Sequence, residues 1–296
     1  MQLLHLRVVL AAIDVDEQSI TILHGAGELA AAANARLHVI HSAPFGAGNG
    51  SQSPRAERER IIRGLVERAG LHIDEITVHL GVGEPARVIH SLADWIRADV
   101  IVLGRHRDRA EANRPMGDTA LQIVTSSWAP CLILSGPMRL PLERVLVPVD
   151  LSDNSRGALT VALSWASALR GAVVPEGTTL TEAVNLTAIY VDQASDPGGS
   201  SPIHALDDTL GRLRRDAGTW AGVAINSAVV RSRDVAAAVA GYARDHEFDI
   251  VVLGTRGVGL DDVSRIGSIS RDVTRRIALP ILLVPPAMWT TRTSAA

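Results

Sequence analysis

Ala98-Asp-Val-Ile-Val-Leu-Gly104 returns as Phe248-Asp-Ile-Val-Val-Leu-Gly254, a displacement of 254 − 104 = 150 residues. Gly117 and Gly267 stand at the same displacement, as do Pro130 and Pro280. Each proline introduces an apolar run, Cys131 to Leu134 and Ile281 to Val284. Nearer the two starts the displacement shortens: Val9 to Asp14 matches Val145 to Asp150, and 150 − 14 = 136. His41 matches Tyr190 at 190 − 41 = 149, so most of the extra length enters before that point, in the stretch Gly171 to Val184. Self-similarity at a nearly constant offset is the mark of a duplicated unit. The chain therefore reads as two copies with one enlarged loop.

The copies meet at Ser135-Gly-Pro-Met-Arg-Leu-Pro-Leu-Glu143, where a glycine and two prolines punctuate the chain as a short linker. This gives domains over 1–138 and 142–287 and a tail over 288–296. Strands are predicted near 7–13, 36–42, 73–80, 99–103 and 131–134, then near 144–149, 185–191, 223–230, 249–253 and 281–284. The runs are rich in Val, Ile and Leu without strict alternation, as strands buried on both faces of a parallel sheet require. Helical patterns separate them. Ser19 is expected to cap a helix through Ala33, and Pro85 to open one carrying Val88, Ile89, Leu92 and Ile96. Pro202 introduces Leu206, Leu210 and Leu213 at helical spacing. Alternating strands and helices define an α/β fold of two tandem doubly wound domains, with ligands expected at the carboxyl ends of the strands.

Composition narrows the function. Of 296 residues 47% are hydrophobic and 21% charged, with a formal net charge of −3, so no basic face announces a nucleic-acid partner. Aromatic residues make up 3% of the chain, few for base stacking. The start, apolar but broken by His5 and Arg7, is a poor signal peptide, and no run reaches the roughly 18 apolar residues of a membrane span. With a single cysteine, Cys131, a reducing and cytoplasmic setting is expected, with the thiol buried and inert. His38 and His41, three apart on a strand, face opposite sides of the sheet and read as structural. Trp95, Trp128, Trp165 and Trp220 read as packing residues.

The chemistry concentrates after the fourth strand of the second half. Gly254-Thr255-Arg256-Gly257 is followed by nine residues and then by Gly267-Ser268-Ile269-Ser270, which opens a helix. Glycines let the backbone approach a phosphate, and a helix start presents amide donors to an anion. Across the expected switch point, Pro148-Val-Asp150-Leu-Ser152 ends the first strand with an acidic side chain able to hydrogen-bond a nucleoside.

This pattern of Asp150 and Ser152, then Gly254, Gly257, Gly267 and Ser268 at these spacings, resembles the ATP-binding pattern of universal stress proteins. The resemblance spans nearly the whole chain as two copies, except the insertion at 171–184 and the tail after Pro286. It implies a five-stranded parallel sheet of order 3-2-1-4-5 in each half, with helices on both faces. It also implies adenine at Asp150 and Val191, with ribose and phosphates at Gly254, Gly257, Gly267, Ser268 and Ser270. It further implies edge-to-edge pairing of the two last strands, a pseudo-dimer within one chain; a homodimer of the whole chain is expected in addition, though no residue pattern derives it. Magnesium on the phosphates is compatible with the pattern, though no carboxylate cluster demands it.

The halves differ where it matters. The first reads Gly104-Arg-His-Arg107, nine residues, Gly117-Asp118, so arginine replaces the second glycine and aspartate the serine; Asp16 stands where Ser152 does. A carboxylate at the helix start repels phosphate, and ATP is expected in the second half and not the first. The contrary reading has Thr119 and a shifted loop restoring binding. Arg105, His106, Arg107, Arg109 and Arg114 read as a solvated or partner-facing loop. The second half departs from the family turn seen in Gly83-Glu-Pro85, having Arg231-Ser-Arg-Asp234, where Asp234 reads as a helix cap; Arg231, Arg233 and Arg256 read by default as solvated surface cations, with contact to phosphate as the alternative. The function that follows is a nucleotide-binding stress or signalling protein acting through an unspecified protein partner. A weak ATPase and an interaction module that binds no nucleotide are the rival readings.

Overall fold

A computed structural model describes residues 6–43, 54–105, 116–170, 183–193, 202–215, 220, 222–256 and 266–286. In the first half the strands are β1 (Val8–Ala12), β2 (Arg36–Ala43), β3 (Ile76–Val82), β4 (Val100–Gly104) and β5 (Cys131–Leu134). Their helices are α1 (Gln18–Ala33), α2 (Pro54–Arg68), α3 (Pro85–Ile96) and α4 (Asp118–Ser126). The second half repeats the series as β6 (Arg144–Pro148), α5 (Asp153–Leu169), β7 (Val184–Asp192), α6 (Pro202–Arg215), β8 (Val223–Arg231), α7 (Val235–Asp245), β9 (Ile250–Gly254), α8 (Ser268–Arg276) and β10 (Ile281–Val284). Of the insertion expected at 171–184, residues 171–182 lie outside the described residues, while Val184 already opens β7.

All ten strands form one sheet of order β3-β2-β1-β4-β5-β10-β9-β6-β7-β8. Each half thus has the expected order 3-2-1-4-5. Pairing is parallel throughout except at the join, where β10 runs antiparallel to β5 with Leu282 opposite Leu132. The join removes an edge from each half, and unpaired edges invite aggregation. Alternate residues of each strand feed two cores. Val9, Val102, Leu132, Val145, Val252 and Leu282 pack beneath α1, α2, α5 and α6. Leu10, Ile101, Ile133, Leu146, Val251 and Leu283 pack beneath α3, α4, α7 and α8. Both cores run unbroken across the join, so the halves share their hydrophobic stabilisation.

An aspartate clip is repeated with the fold, half-buried in the first half and buried in the second. Asp99 Oδ2 accepts from the amides of Arg7 and Val8 at 2.8 and 2.9 Å, and Asp249 Oδ2 from those of Glu143 and Arg144 at 2.9 and 2.8 Å. Each aspartate, one residue ahead of a fourth strand, fixes the start of the neighbouring first strand. Helix starts follow the same economy. Glu84 accepts from the amides of Ala86 and Arg87 ahead of Pro85, and Asp234 accepts from Ala237 at 3.0 Å, which confirms it as a cap. The Ala237 amide, followed by the guanidinium of Arg276, holds the Asp234 carboxyl below its ordinary range.

Several expectations need correction. Ser19 does not cap α1: it lies inside the first turn, and Asp16 Oδ1 accepts from its amide at 3.1 Å and its hydroxyl at 3.0 Å. The helix already begins at Gln18, and the Ser19 hydroxyl is spent as a donor on Asp14 O at 2.7 Å and on Asp16, so it accepts from no downstream amide. The predicted strand at 73–80 begins with one 3-10 turn, Ile73–Glu75, where the Glu75 amide bonds to His72 O. Trp165 and Trp220 are buried as expected, but Trp95 is 77% exposed and Trp128 is half-exposed, its indole N–H donating to Asp94. Cys131 is buried, and burial pushes its thiol up to about 12, which leaves it protonated and inert.

His38 and His41 do point to opposite faces. His41 Nδ1 bonds to Ile13 O at 3.1 Å, while His38 Nδ1 lies 2.9 Å from His79 Nε2 on β3, the rings stacked at 5.3 Å. Burial holds both His38 and His79 below the ordinary imidazole value of 6.5, His38 further through the charges of His79 and Arg36. A depressed folded value means that the unfolded chain binds protons first. The stability contributed by the neutral pair is therefore full above about pH 6.5 and is lost as pH falls through the folded values. In urea titrations between pH 7.5 and 5, His79→Gln is expected to flatten the acid-side loss seen in the unsubstituted protein. An identical slope in the variant contradicts this assignment.

Candidate functional site

The cavity of the second half lies at the carboxyl ends of β6, β7 and β9, where a doubly wound sheet places its ligand crevice. It has a volume of about 360 Å³, inside the range of roughly 300–1,000 Å³ typical of small-molecule sites. Asp150 and Val191, at the ends of β6 and β7, form one side. Gly254, Arg256, Gly267, Ser268, Ile269 and Ser270 form the other.

The geometry of the second side explains its residue types. A Cβ on Gly254 would stand 3.2 Å from both Arg256 O and Asn154 O, so a side chain there has no room beside the opening of α5. The buried Ser270 hydroxyl donates to Gly254 O at 2.8 Å, tying the first turn of α8 to the end of β9. The Thr255 amide donates to Val284 O at 2.9 Å, and Thr255 O accepts from the Gly267 amide at 2.8 Å. Thr255 is buried behind the lining and closes the two ends of the intervening loop. Gly267 is the N-cap of α8, with Ser268 and Ile269 exposed beyond it. A helix start leaves its first amides without intrahelical partners and carries about half a positive charge. Gly257 lies outside the described residues.

On the first side, Asp150 Oδ1 accepts from the Ser152 amide at 3.0 Å and from its hydroxyl at 2.5 Å. Leu151 makes the turn with φ +66°, and Ser152 is the N-cap of α5, accepting from the Ser155 amide at 3.2 Å. Ser152 therefore orients Asp150 from behind, and its oxygen is not part of the lining. Arg231 pairs with Asp192 at 3.5 Å, and Arg233 O accepts from Gln193, so of the three arginines weighed for phosphate only Arg256 lines the cavity. Sequence reasoning missed Val235 and Val239, which give the cavity an apolar wall, and Gln193 and Ser155 at its rim. The spacing of the two valines, four apart on α7, was the available signal.

The first half keeps a cleft at the equivalent place, of about 470 Å³, lined by Asp14, Asp16, Gly104, Gly117, Asp118 and Thr119 over an apolar floor. Asp16 caps α1 by the same bond that Ser152 makes to α5, three residues downstream in each case. The exchange of serine for aspartate preserves the helix start and adds a negative charge. Asp118 is the first residue of α4. His106, Arg107, Arg109 and Arg114 lie outside the described residues, and Arg105 does not stand free: its guanidinium bonds to the second half. Among the described residues no group of three or more His, Cys, Asp or Glu could hold a metal, and no helix is long and apolar enough to cross a membrane.

The duplicated sheet and these paired clefts define a tandem doubly wound protein with its ligand crevices at the strand ends. Comparison with known families gives the same answer: the chain matches the universal stress protein family over residues 5–135 and again over 141–285, and it belongs to that family as a tandem member. A universal stress protein from Archaeoglobus fulgidus DSM 4304 has a similar fold, at 16% identity, TM-score 0.68, and 95% of this chain covering 98% of that one. A functionally unknown protein from Pseudomonas aeruginosa PAO1 does too, at 13% identity, TM-score 0.61 and coverages of 96% and 94%. A universal stress protein from Archaeoglobus fulgidus solved with dAMP matches 44% of this chain over 98% of its own length, at 20% identity and TM-score 0.33. No curated protein sequence matches the chain.

Proposed function

We propose that the second half binds an adenine nucleotide, with ATP as the expected ligand, in a stress-response or signalling role that is non-catalytic or hydrolyses ATP very slowly. The observation that carries this reading is the pairing, across one cavity, of an oriented carboxylate at Asp150 with a glycine-capped helix start at Gly267 and Ser268. The base would lie against Val191, Val235 and Val239 with Asp150 hydrogen-bonding the nucleoside. The phosphates would meet Gly254, Arg256, Ser268, Ile269 and the first amides of α8, with Gly257 completing the loop. Thr255 and Ser152 hold this frame from behind, and Ser270, in the lining, ties α8 to the end of β9. Magnesium, if used, would arrive on the phosphates. Asp150 is the one carboxylate among the described lining residues, and its Oδ1 already takes two donors from Ser152, a poor arrangement for a general base.

The first half is assigned no ATP, because its cleft has Asp16 and Asp118 where the second half has Ser152 and Ser268, two added carboxylates that repel phosphate. The buried, protonated thiol of Cys131 suits a cytoplasmic setting. Mass spectrometry of ligand released from freshly purified protein, with calorimetry of the full chain against ATP, AMP and adenosine, tests the proposal. One adenine nucleotide per chain is expected. Absence of both released nucleotide and binding heat sinks it, and two per chain overturns the assignment for the first half.

A further inference from the structure

The two halves secure the ends of matching helices by different means. In the first, α4 ends at Ser126, and Ser126 O lies 2.9 Å from His90 Nε2; a carbonyl only accepts, so that nitrogen donates. His90 belongs to α3 of the same half. The displacement of 150 puts Ala240 where His90 stands and Arg276 where Ser126 stands, since 90 + 150 = 240 and 126 + 150 = 276. Alanine has no donor. The end of α8 is instead held from the other half: Arg105 Nη1 donates to Ile277 O at 2.7 Å and Nη2 to Arg275 O at 2.6 Å.

Arg105 comes directly after β4, as Thr255 comes directly after β9 behind the cavity of the second half. Gly104 lets β4 end tight beneath α1, since a Cβ there would lie 2.5 Å from Ile22 Cδ1. The Arg105 amide then bonds to Leu134 O at 3.0 Å, as the Thr255 amide bonds to Val284 O at 2.9 Å. The backbone course is therefore shared by the halves, and the side chains differ. Thr255 is buried and short, while Arg105 has the reach and the planar fork to take two of the carbonyls that a helix end leaves unpaired. A cation at that end also opposes the helix dipole favourably.

We infer that Arg105 is a positioning residue for the second-half cavity, fixing α8 from its far end so that Gly267, Ser268 and Ser270 are presented at the near end. On this account the first-half loop has exchanged a ligand role for a mechanical one. The Arg276–Asp234 pair at 2.8 Å braces the same turn against α7, whose Val235 and Val239 line the cavity, so the cross-half bonds act on a helix already coupled to both walls.

The part of this inference that concerns affinity rests on the nucleotide reading, and the test separates the two. In the full chain, hydrogen exchange measured by mass spectrometry is expected to rise about tenfold or more over 268–276 in Arg105→Ala, with 281–284 unchanged and partial rescue by Arg105→Lys, which offers one point donor. Calorimetry with ATP is expected to show about fivefold weaker binding by the alanine variant. Unchanged exchange in α8, or an equal rise in α8 and β10, overturns the positioning role. Raised exchange with unaltered ATP affinity overturns its link to the site. If the unsubstituted chain binds no ATP, the nucleotide reading falls while the exchange result still decides what Arg105 does. Should Arg105→Ala not fold, Arg105→Lys and Arg105→Gln are compared by the same exchange measurement.

Discussion

Gly267→Asp is expected to abolish most nucleotide binding while leaving the protein folded. Gly267 is the N-cap of α8 with φ −58° and ψ 147°, an extended conformation open to any residue, so no backbone strain opposes the change. Aspartate is among the preferred N-caps, a gain of a few tenths of a kcal/mol over glycine that offsets part of the cost of placing a carboxylate at this buried position. The new carboxylate would sit at the mouth of the cavity. Two like charges about 5 Å apart at an effective dielectric near 20 repel by ~3 kcal/mol. That corresponds to more than about a hundredfold loss of affinity for ATP. Adenosine, without phosphates, should lose far less. Calorimetry against both ligands, beside a thermal melt, reads the contrast. Equal ATP affinity in variant and parent would remove α8 from the phosphate site, and an equal loss for adenosine would point to a collapsed cavity.

The second large effect concerns folding. Asp249→Ala removes a buried carboxylate that holds the amides of Glu143 and Arg144, leaving both donors without their partner beneath β6. Hydrogen bonds to charged groups contribute about 1.5–3 kcal/mol each, and a stranded donor adds its desolvation penalty. A loss of roughly 3–5 kcal/mol is expected, seen as a lower denaturation midpoint at unchanged slope in guanidinium titration. Asp99→Ala should cost less, because Asp99 is only half-buried where Asp249 is buried. A change under about 1 kcal/mol for Asp249→Ala would show that water replaces the clip.

The duplication was legible because it lies in local runs: Asp-Val-Ile-Val-Leu-Gly and its copy have the composition of a strand buried on both faces, while the strand order of each half came from the family resemblance and from no spacing in the chain. Caps were legible where the residue acts on its own turn, as Glu84 and Asp234 do. Ser19 was misread since the helix starts one residue earlier and its hydroxyl donates to Asp14 O and Asp16, and a one-dimensional pattern does not say which of two neighbouring side chains takes the free amide. Within the candidate site, Asp150, Val191 and the residues from Gly267 to Ser270 come together as their motif implied. Ser152 and Thr255 belong to the supporting frame, because their donors and acceptors are spent on Asp150, Ser155 and the loop ends. Contacts such as Arg105 to Ile277, 172 residues apart, depend on which face of the sheet each helix covers and on the reversed join. No spacing in the chain records them.

That reversed join has a consequence for how the two clefts relate. Within each half the strands run parallel, and β5 and β10 run opposite ways. The carboxyl ends of the two sets of strands therefore face away from each other, and the clefts open at opposite poles of the molecule. A single small ligand cannot bridge them, and neither can one flat partner surface. The two clefts are connected through the shared sheet and the two cores that cross the join, so the molecule has two unlike ends on one continuous frame.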